Sequence, residues 1–252
     1  MAPGNQLWPL VSPLLSDSNR GVRIRAASLL AVVPTSSQPA GDRERFERAA
    51  AEFIAAQGLN ADRPEARSTL GNFLARRGHA NEAEAEYKAA LRLSPQFAPA
   101  AVNLADLYRQ LGRDADGESV LRTAIATSPQ DAALHYALGL TLTRLKQTDA
   151  ALAELNRAAE LEPGRARYAY VYAIALQSSG RHDEALSFLK GALAKNSNDR
   201  DILTALINFS REGGDINGAL EYAERLARVS PNPELARLIE DLRRQGTKPN
   251  PQ

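Results

Sequence analysis

The chain has 252 residues, 24% of them charged and 44% hydrophobic, a balance that suits a folded protein rather than a disordered one. Its 31 Lys and Arg face 30 Asp and Glu, so a formal charge of +1 gives no global pull toward nucleic-acid phosphate or an anionic membrane. The absence of cysteine excludes disulfides, thiolate metal sites, cysteine nucleophiles and covalently attached c-type haem.

The longest apolar stretch, residues 26–33, is interrupted by Ser28 and falls far short of the roughly 18–20 residues of a membrane span. Residues 1–6 hold no Lys or Arg, and Pro9 and Pro13 break the stretch that follows, which fits a signal peptide poorly. The bare sequence therefore reads as cytoplasmic. In chain order, residues 1–34 predict a helical hairpin: an apolar helix, a turn at Asp17, Ser18 and Asn19, then a helix carrying Ala26, Ala27, Leu29 and Leu30. The Ser- and Pro-rich segment 35–41 reads as a linker, and 42–61 as a capping half repeat, because Ala49, Phe53 and Ala56 extend backward the columns of Ala83, Tyr87 and Ala90.

From residue 64 a period of 34 residues governs the sequence, with Pro95, Pro129, Pro163, Ser197 and Pro231 in one column. Ala83, Gly117, Ala151, Ala185 and Ala219 form a small-residue column; Leu70, Leu104, Leu138, Tyr172 and Leu206 form a bulky one. Gly78, Gly112, Lys146, Gly180 and Gly214 mark a turn in each unit. The period sets five units, 64–97, 98–131, 132–165, 166–199 and 200–233, each predicted to be two antiparallel helices. Glycine ends the first helix because it takes a left-handed conformation cheaply, and proline stops the second. A lone pair cannot bury its apolar face, so successive pairs must stack. Residues 234–246 read as a C-terminal capping helix and 247–252 as a disordered tail.

Leu70, Gly71, Tyr87, Ala90 and Pro95 in the first unit, and Leu138, Gly139, Ala151, Leu155, Ala158 and Pro163 in the third, make 64–233 resemble the tetratricopeptide repeat family. The resemblance implies an all-α, right-handed α-solenoid whose concave groove is lined by the first helix of each unit. The motif's tryptophan column departs from the family, holding Arg67, Ala101, His135, Ala169 and Leu203. Residues 1–34 resemble one HEAT repeat. The order of hairpin, capping helix and repeats is similar to the C-terminal part of certain bacterial multihaem c-type cytochromes, which implies a periplasmic, redox-associated parent with no haem in this chain.

The three histidines, His79, His135 and His182, lie far apart and read as surface or packing residues, so no metal or other cofactor is expected. Asp114-Ala115-Asp116-Gly117 and Asp215-Ile216-Asn217-Gly218 echo the start of a calcium loop without its distal acids, and both fall in inter-helix turns where Asp and Asn are common. No phosphate-binding loop, G-x-S-x-G or dinucleotide fingerprint occurs, and Glu82, Glu84 and Glu86 read as a solvated helix face; the chain reads as a non-catalytic scaffold. In the alternating Tyr168, Tyr170 and Tyr172, the register makes Tyr172 core and places Tyr170 in the groove beside Tyr136.

Carried over column by column, the family's groove positions fall on Asn72, Arg76, Asn103, Asp106, Arg109, Tyr136, Leu140, Arg144, Tyr170, Ile174, Gln177, Asn208 and Arg211. This surface implies a protein or peptide partner in extended form, acidic to suit four arginines, and neither nucleic acid nor membrane insertion. The arginines also sit in the last turns of their helices, where any cation opposes the helix dipole. Asn72 and Asn103 match two asparagines of the family's carboxylate clamp, but its cationic positions hold Ser68, Ala133 and Ala137, so chaperone-tail binding of that type is not expected. The alternative implication is a docking and spacing arm of the larger cytochrome-type polypeptide.

Overall fold

The structure, a computed structural model, describes residues 4–246; the expected tail at 247–252 lies outside them. Among the described residues every regular element is a helix, arranged as the repeated pairs of an all-α solenoid fold. The chain forms two compact units, Met1–Pro129 and Gln130–Gln252.

In the first unit α1 (Gly4–Val11) contains Pro9 and tightens into a 3-10 turn at Ser12–Ser16. Helix α2 (Arg20–Leu30) starts at Asn19, whose side chain accepts from the Gly21 N–H at 2.8 Å. This hairpin rests on α3 (Arg43–Gly58). The Trp8 indole donates to Asp42 at 2.8 Å and its ring lies 5.7 Å from that of Phe46, while Arg23 pairs with Glu52 at 2.8 Å. The Trp8 bond, then Arg45, holds the Asp42 carboxyl below the usual carboxylate range. The segment 35–41 is tighter than a linker: it holds 3-10 turns at Thr35–Ser37 and Ala40–Asp42, and buried Gln38 donates to the Val33 carbonyl at 3.0 Å.

Two pairs complete this unit, α4 (Pro64–Arg76) with α5 (Ala80–Leu93) and α6 (Ala98–Gln110) with α7 (Asp114–Thr127). The second unit holds α8 (Ala132–Arg144) with α9 (Thr148–Leu161), α10 (Ala166–Ser178) with α11 (His182–Lys195), α12 (Arg200–Glu212) with α13 (Ile216–Val229), and α14 (Pro233–Gly246). First helices start at 64, 98, 132, 166 and 200 and second helices at 80, 114, 148, 182 and 216, so the sequence period is also the structural one. Helix α14 falls within one residue of the place a further first helix would start, and its Leu235, Ile239 and Leu242 close the terminal core against residues such as Leu226.

The turn column behaves as its residues dictate. Gly78, Gly112, Gly180 and Gly214 have φ between 70° and 81°, and Lys146, alone among the described non-glycine residues, shares that conformation at 60°. Within pairs, small residues permit close helix approach: a Cβ added at Gly139 would lie 2.6 Å from Leu155 Cγ, and one at Gly71 2.6 Å from the Tyr87 ring. The atypical tryptophan column is filled by matched partners. Arg67 pairs with Glu86 at 2.9 Å and His135 with Glu154 at 2.6 Å, while the corresponding positions elsewhere are the apolar combinations Ala101 with Val120, Ala169 with Phe188 and Leu203 with Tyr222.

Two stability changes follow from this geometry. Gly139→Ala forces Leu155 off its seat and should lower the unfolding free energy by about 1–3 kcal/mol in urea denaturation. Lys146→Gly removes the left-handed penalty of a residue bearing a Cβ and should raise stability by up to about 1 kcal/mol, a gain visible as a higher midpoint with an unchanged slope.

Candidate functional site: clefts between successive first helices

In the first unit a polar cleft of about 260 Å³ opens between α4 and α6. It gathers four of the expected residues, Asn72, Arg76, Asn103 and Asp106, with Tyr87 and Gln110 beside them. The Tyr87 hydroxyl donates to Asn72 Oδ1 at 2.7 Å, and burial, then the charge of Asp106, pushes its pKa up to about 12. That phenol therefore stays protonated and occupies the Asn72 oxygen, leaving the amide nitrogen as the group available to a ligand. The Asn103 amide has only a long 3.5 Å contact to Ser68 Oγ. Asp106 accepts from Arg109 at 2.7 Å and from Gln110 at 2.8 Å, which also holds the Arg109 pKa above its ordinary value, whereas Arg76 is exposed and forms no ion pair among the described residues. The cleft thus presents donors and one uncompensated cation.

The second unit repeats this cleft with different chemistry. Between α8 and α10 lies a space of about 320 Å³ that includes the expected Leu140 and Ile174, together with Leu152, Leu155 and Val171. Its walls occupy the same repeat positions as the polar cleft, two 34-residue periods on: Asn72 is replaced by Leu140, Tyr87 by Leu155, Asn103 by Val171, Asp106 by Ile174 and Gln110 by Ser178. Near the end of this unit Asn208 and Arg211 share a third, open cleft with Glu212, Ile216 and Gln245, and Arg211 also has no ion pair among the described residues.

The remaining expected residues are held elsewhere. The Tyr136 ring lies 4.7 Å from that of Tyr168, and its hydroxyl accepts from Arg167 at 3.0 Å. Tyr168, 4% exposed, is the fully buried tyrosine of the alternating trio; Tyr172, edge-on to Phe188, is half-buried and packs with Tyr170 against the terminal core, so the expected core tyrosine sits at its margin. Arg144 donates to Thr141 Oγ1 at 3.1 Å and Gln177 to Glu212 at 2.5 Å. Of the calcium-loop echoes, Asp215 accepts from the Gly218 N–H as a helix cap and Asp116 pairs with Arg113 at 2.6 Å. No group of three His, Asp or Glu placed to hold a metal occurs among the described residues, and no described helix is long and apolar enough to cross a membrane.

Sequence reasoning missed the apolar floor of the second cleft, which comes from α9, and it misjudged Glu84. Rather than facing solvent, Glu84 ties α5 to the next pair, accepting from Lys88 at 2.6 Å, the Tyr108 hydroxyl of α6 at 2.8 Å and Arg113, in the turn before α7, at 2.9 Å. The Arg113 guanidinium lies 4.3 Å from the Tyr108 ring centre. These donors, Lys88 foremost, hold the Glu84 pKa below its ordinary 4.5, so its stabilisation is complete above that value and is lost as pH falls through the lower folded one. Glu84→Gln should cost about 1–3 kcal/mol at pH 7, with the gap to the parent closing under progressively acidic denaturation.

Helix pairs repeating every 34 residues, with clefts opening between their first helices, define a helical-repeat scaffold of the α-solenoid class. The tetratricopeptide repeat profile matches residues 35–198 and a second profile of the same repeat matches 176–242, so the chain belongs to the tetratricopeptide repeat family. Among solved structures it is similar to YrrB, described as a TPR protein with an unusual peptide-binding site, at 23% identity over 75% of this chain and 97% of that one, with a TM-score of 0.54. It is also similar to PilF of Pseudomonas aeruginosa, at 19% identity over 72% of this chain and 87% of that one with a TM-score of 0.57. MamA is similar at 20% identity, covering 64% and 94% of the two chains, with a TM-score of 0.54. At these identities the likeness is one of fold. No curated protein matches the sequence.

Proposed function

We propose that this chain is a non-catalytic protein-interaction scaffold that binds an extended, acidic segment of a partner along the first helices of its repeats. The observation that carries the reading is the polar cleft of the first unit, where Arg76 stands without a counter-ion beside the Asn72 amide nitrogen and that of Asn103, which is held only by the long contact to Ser68. Such a set suits a carboxylate side chain and the carbonyls of an extended backbone. Membership of a family that generally serves as scaffolding supports the reading, as does the peptide-binding site ascribed to the similar YrrB. In the first unit Arg109, tied to Asp106, contributes less than Arg76, and in the second Arg144, engaged with Thr141, contributes less than Arg211.

Display selection of twelve-residue random peptides on the immobilised protein should enrich Asp and Glu. Arg76→Glu should then weaken each selected peptide at least tenfold by fluorescence polarisation at low salt, with a smaller loss in 0.5 M salt. Selected peptides that lack acids, or that bind the Arg76→Glu protein unchanged, would remove the reading.

A further inference from the structure

We infer that the cleft between α8 and α10 is an anchor site for one bulky apolar side chain, leucine- or phenylalanine-like, that stands next to an acidic residue in a partner peptide. The inference rests on the peptide-binding reading above and adds the chemistry of the residue that is gripped. Its floor is made of buried side chains, Ala151 at 3%, Leu152 at 4% and Leu155 at 1% exposure, and Leu155 is drawn against Gly139 by their close approach. Its walls are the half-buried Leu140 and Val171 and the 36% exposed Ile174. An apolar cavity of about 150 Å³ suffices for benzene, so about 320 Å³ accommodates a leucine or phenylalanine side chain with room for its backbone at the mouth.

Two of the four hydroxyls of the lining are already committed to backbone carbonyls. Thr143 Oγ1 donates to the Gly139 carbonyl at 2.9 Å and Ser179 Oγ to that of Leu176 at 2.8 Å, so these residues offer carbon rather than hydroxyl. No carboxylate, amide or cation lines the space, in contrast to the register-equivalent cleft of the first unit, which holds two asparagines, an aspartate and an arginine. A charged or amide group placed here would lose water and meet at most the Thr148 and Ser178 hydroxyls, a cost that an apolar side chain avoids. The repeat geometry therefore supplies the same recess twice, and the side chains select different ligand groups.

The neighbouring charge selects the residue beside the anchor. The turn joining Thr143 to Thr148, both of which line the cleft, carries Lys146, which is exposed and without an ion pair among the described residues. An acid flanking the anchor meets this ammonium, and a base is repelled.

The test uses the intact chain with ¹³C-labelled Leu, Val and Ile methyl groups. N-acetyl amides of Leu and Phe should shift the methyl signals of Leu140, Leu152, Leu155, Val171 and Ile174 saturably, and N-acetyl-Asp amide should not. Ser178→Trp, at the exposed rim, should weaken the response at least tenfold, and Thr143→Trp provides a second blocked mouth should the first variant lose its helical circular-dichroism signal. Acetyl-Leu-Asp amide should bind more tightly than acetyl-Leu-Lys amide, with Lys146→Glu reversing the order. Absent or dispersed shifts, shifts unaltered in both Trp variants, or equal binding of the two dipeptides would overturn the assignment. Display-selected peptides that lose affinity on Arg76→Glu but bind the Ser178→Trp protein as tightly as the parent would leave the peptide-binding reading standing and overturn this one.

Discussion

Within each unit of this protein a helix pair carries more apolar surface than it can cover by itself, and the neighbouring pair covers the remainder. In the second unit Ala169, Ala173 and Leu176 of α10 share a core with Leu203, Leu206 and Ile207 of α12, and the last exposed face is closed by α14. In the first unit the demand begins at α3, whose Phe53 stacks on Phe73 of α4 at 4.3 Å. Arg77 completes that junction: its guanidinium lies 5.4 Å from the Phe46 ring centre and 5.6 Å from that of Phe73, and it reaches Glu47 at 2.7 Å. The hairpin α1–α2 is then held to α3 by Trp8 and Arg23.

The same stacking creates the clefts. Where a first helix, its own second helix and the following first helix meet, the recess is framed by backbone geometry that does not depend on what lines it. The first-helix lining residues are free to vary because the packing is fixed by other positions, Gly139 against Leu155 and Gly71 against Tyr87, of which only Leu155 and Tyr87 also reach the recess. Function in this fold therefore resides in a few side chains per junction rather than in the architecture.

How far the sequence discloses this depends on which force sets each position. The periodic columns of Pro, Gly and small residues reflect local backbone and packing demands, so helix starts were readable to within a residue or two. Lys146 at a glycine position was visible as a breach of the column, and the structure gives it the glycine conformation nonetheless. Contacts between helices were less legible. Nothing in a run of alternating glutamates says that Glu84 will meet Tyr108 and Arg113 from the next pair, and the tyrosine trio needed the helix rotation to identify Tyr168 as the buried member. Of the expected groove, Asn72, Arg76, Asn103 and Asp106 come together, while Tyr136 and Gln177 are engaged by neighbours the column argument could not weigh. The comparison of Asn72 with Leu140 and Asp106 with Ile174 was available in the register all along; what it lacked was the knowledge that those columns frame one recess.

The substitutes for the motif's tryptophan lie wholly inside a repeat, Arg67 with Glu86 and His135 with Glu154, so a repeat that is duplicated or shuffled carries its own complement with it. The recesses are divided differently, with one wall on each side of a repeat boundary. Permuting repeats would thus keep these internal pairs intact while splicing a polar half-recess onto an apolar one, so that a rearranged order of repeats offers recesses neither parent cleft has.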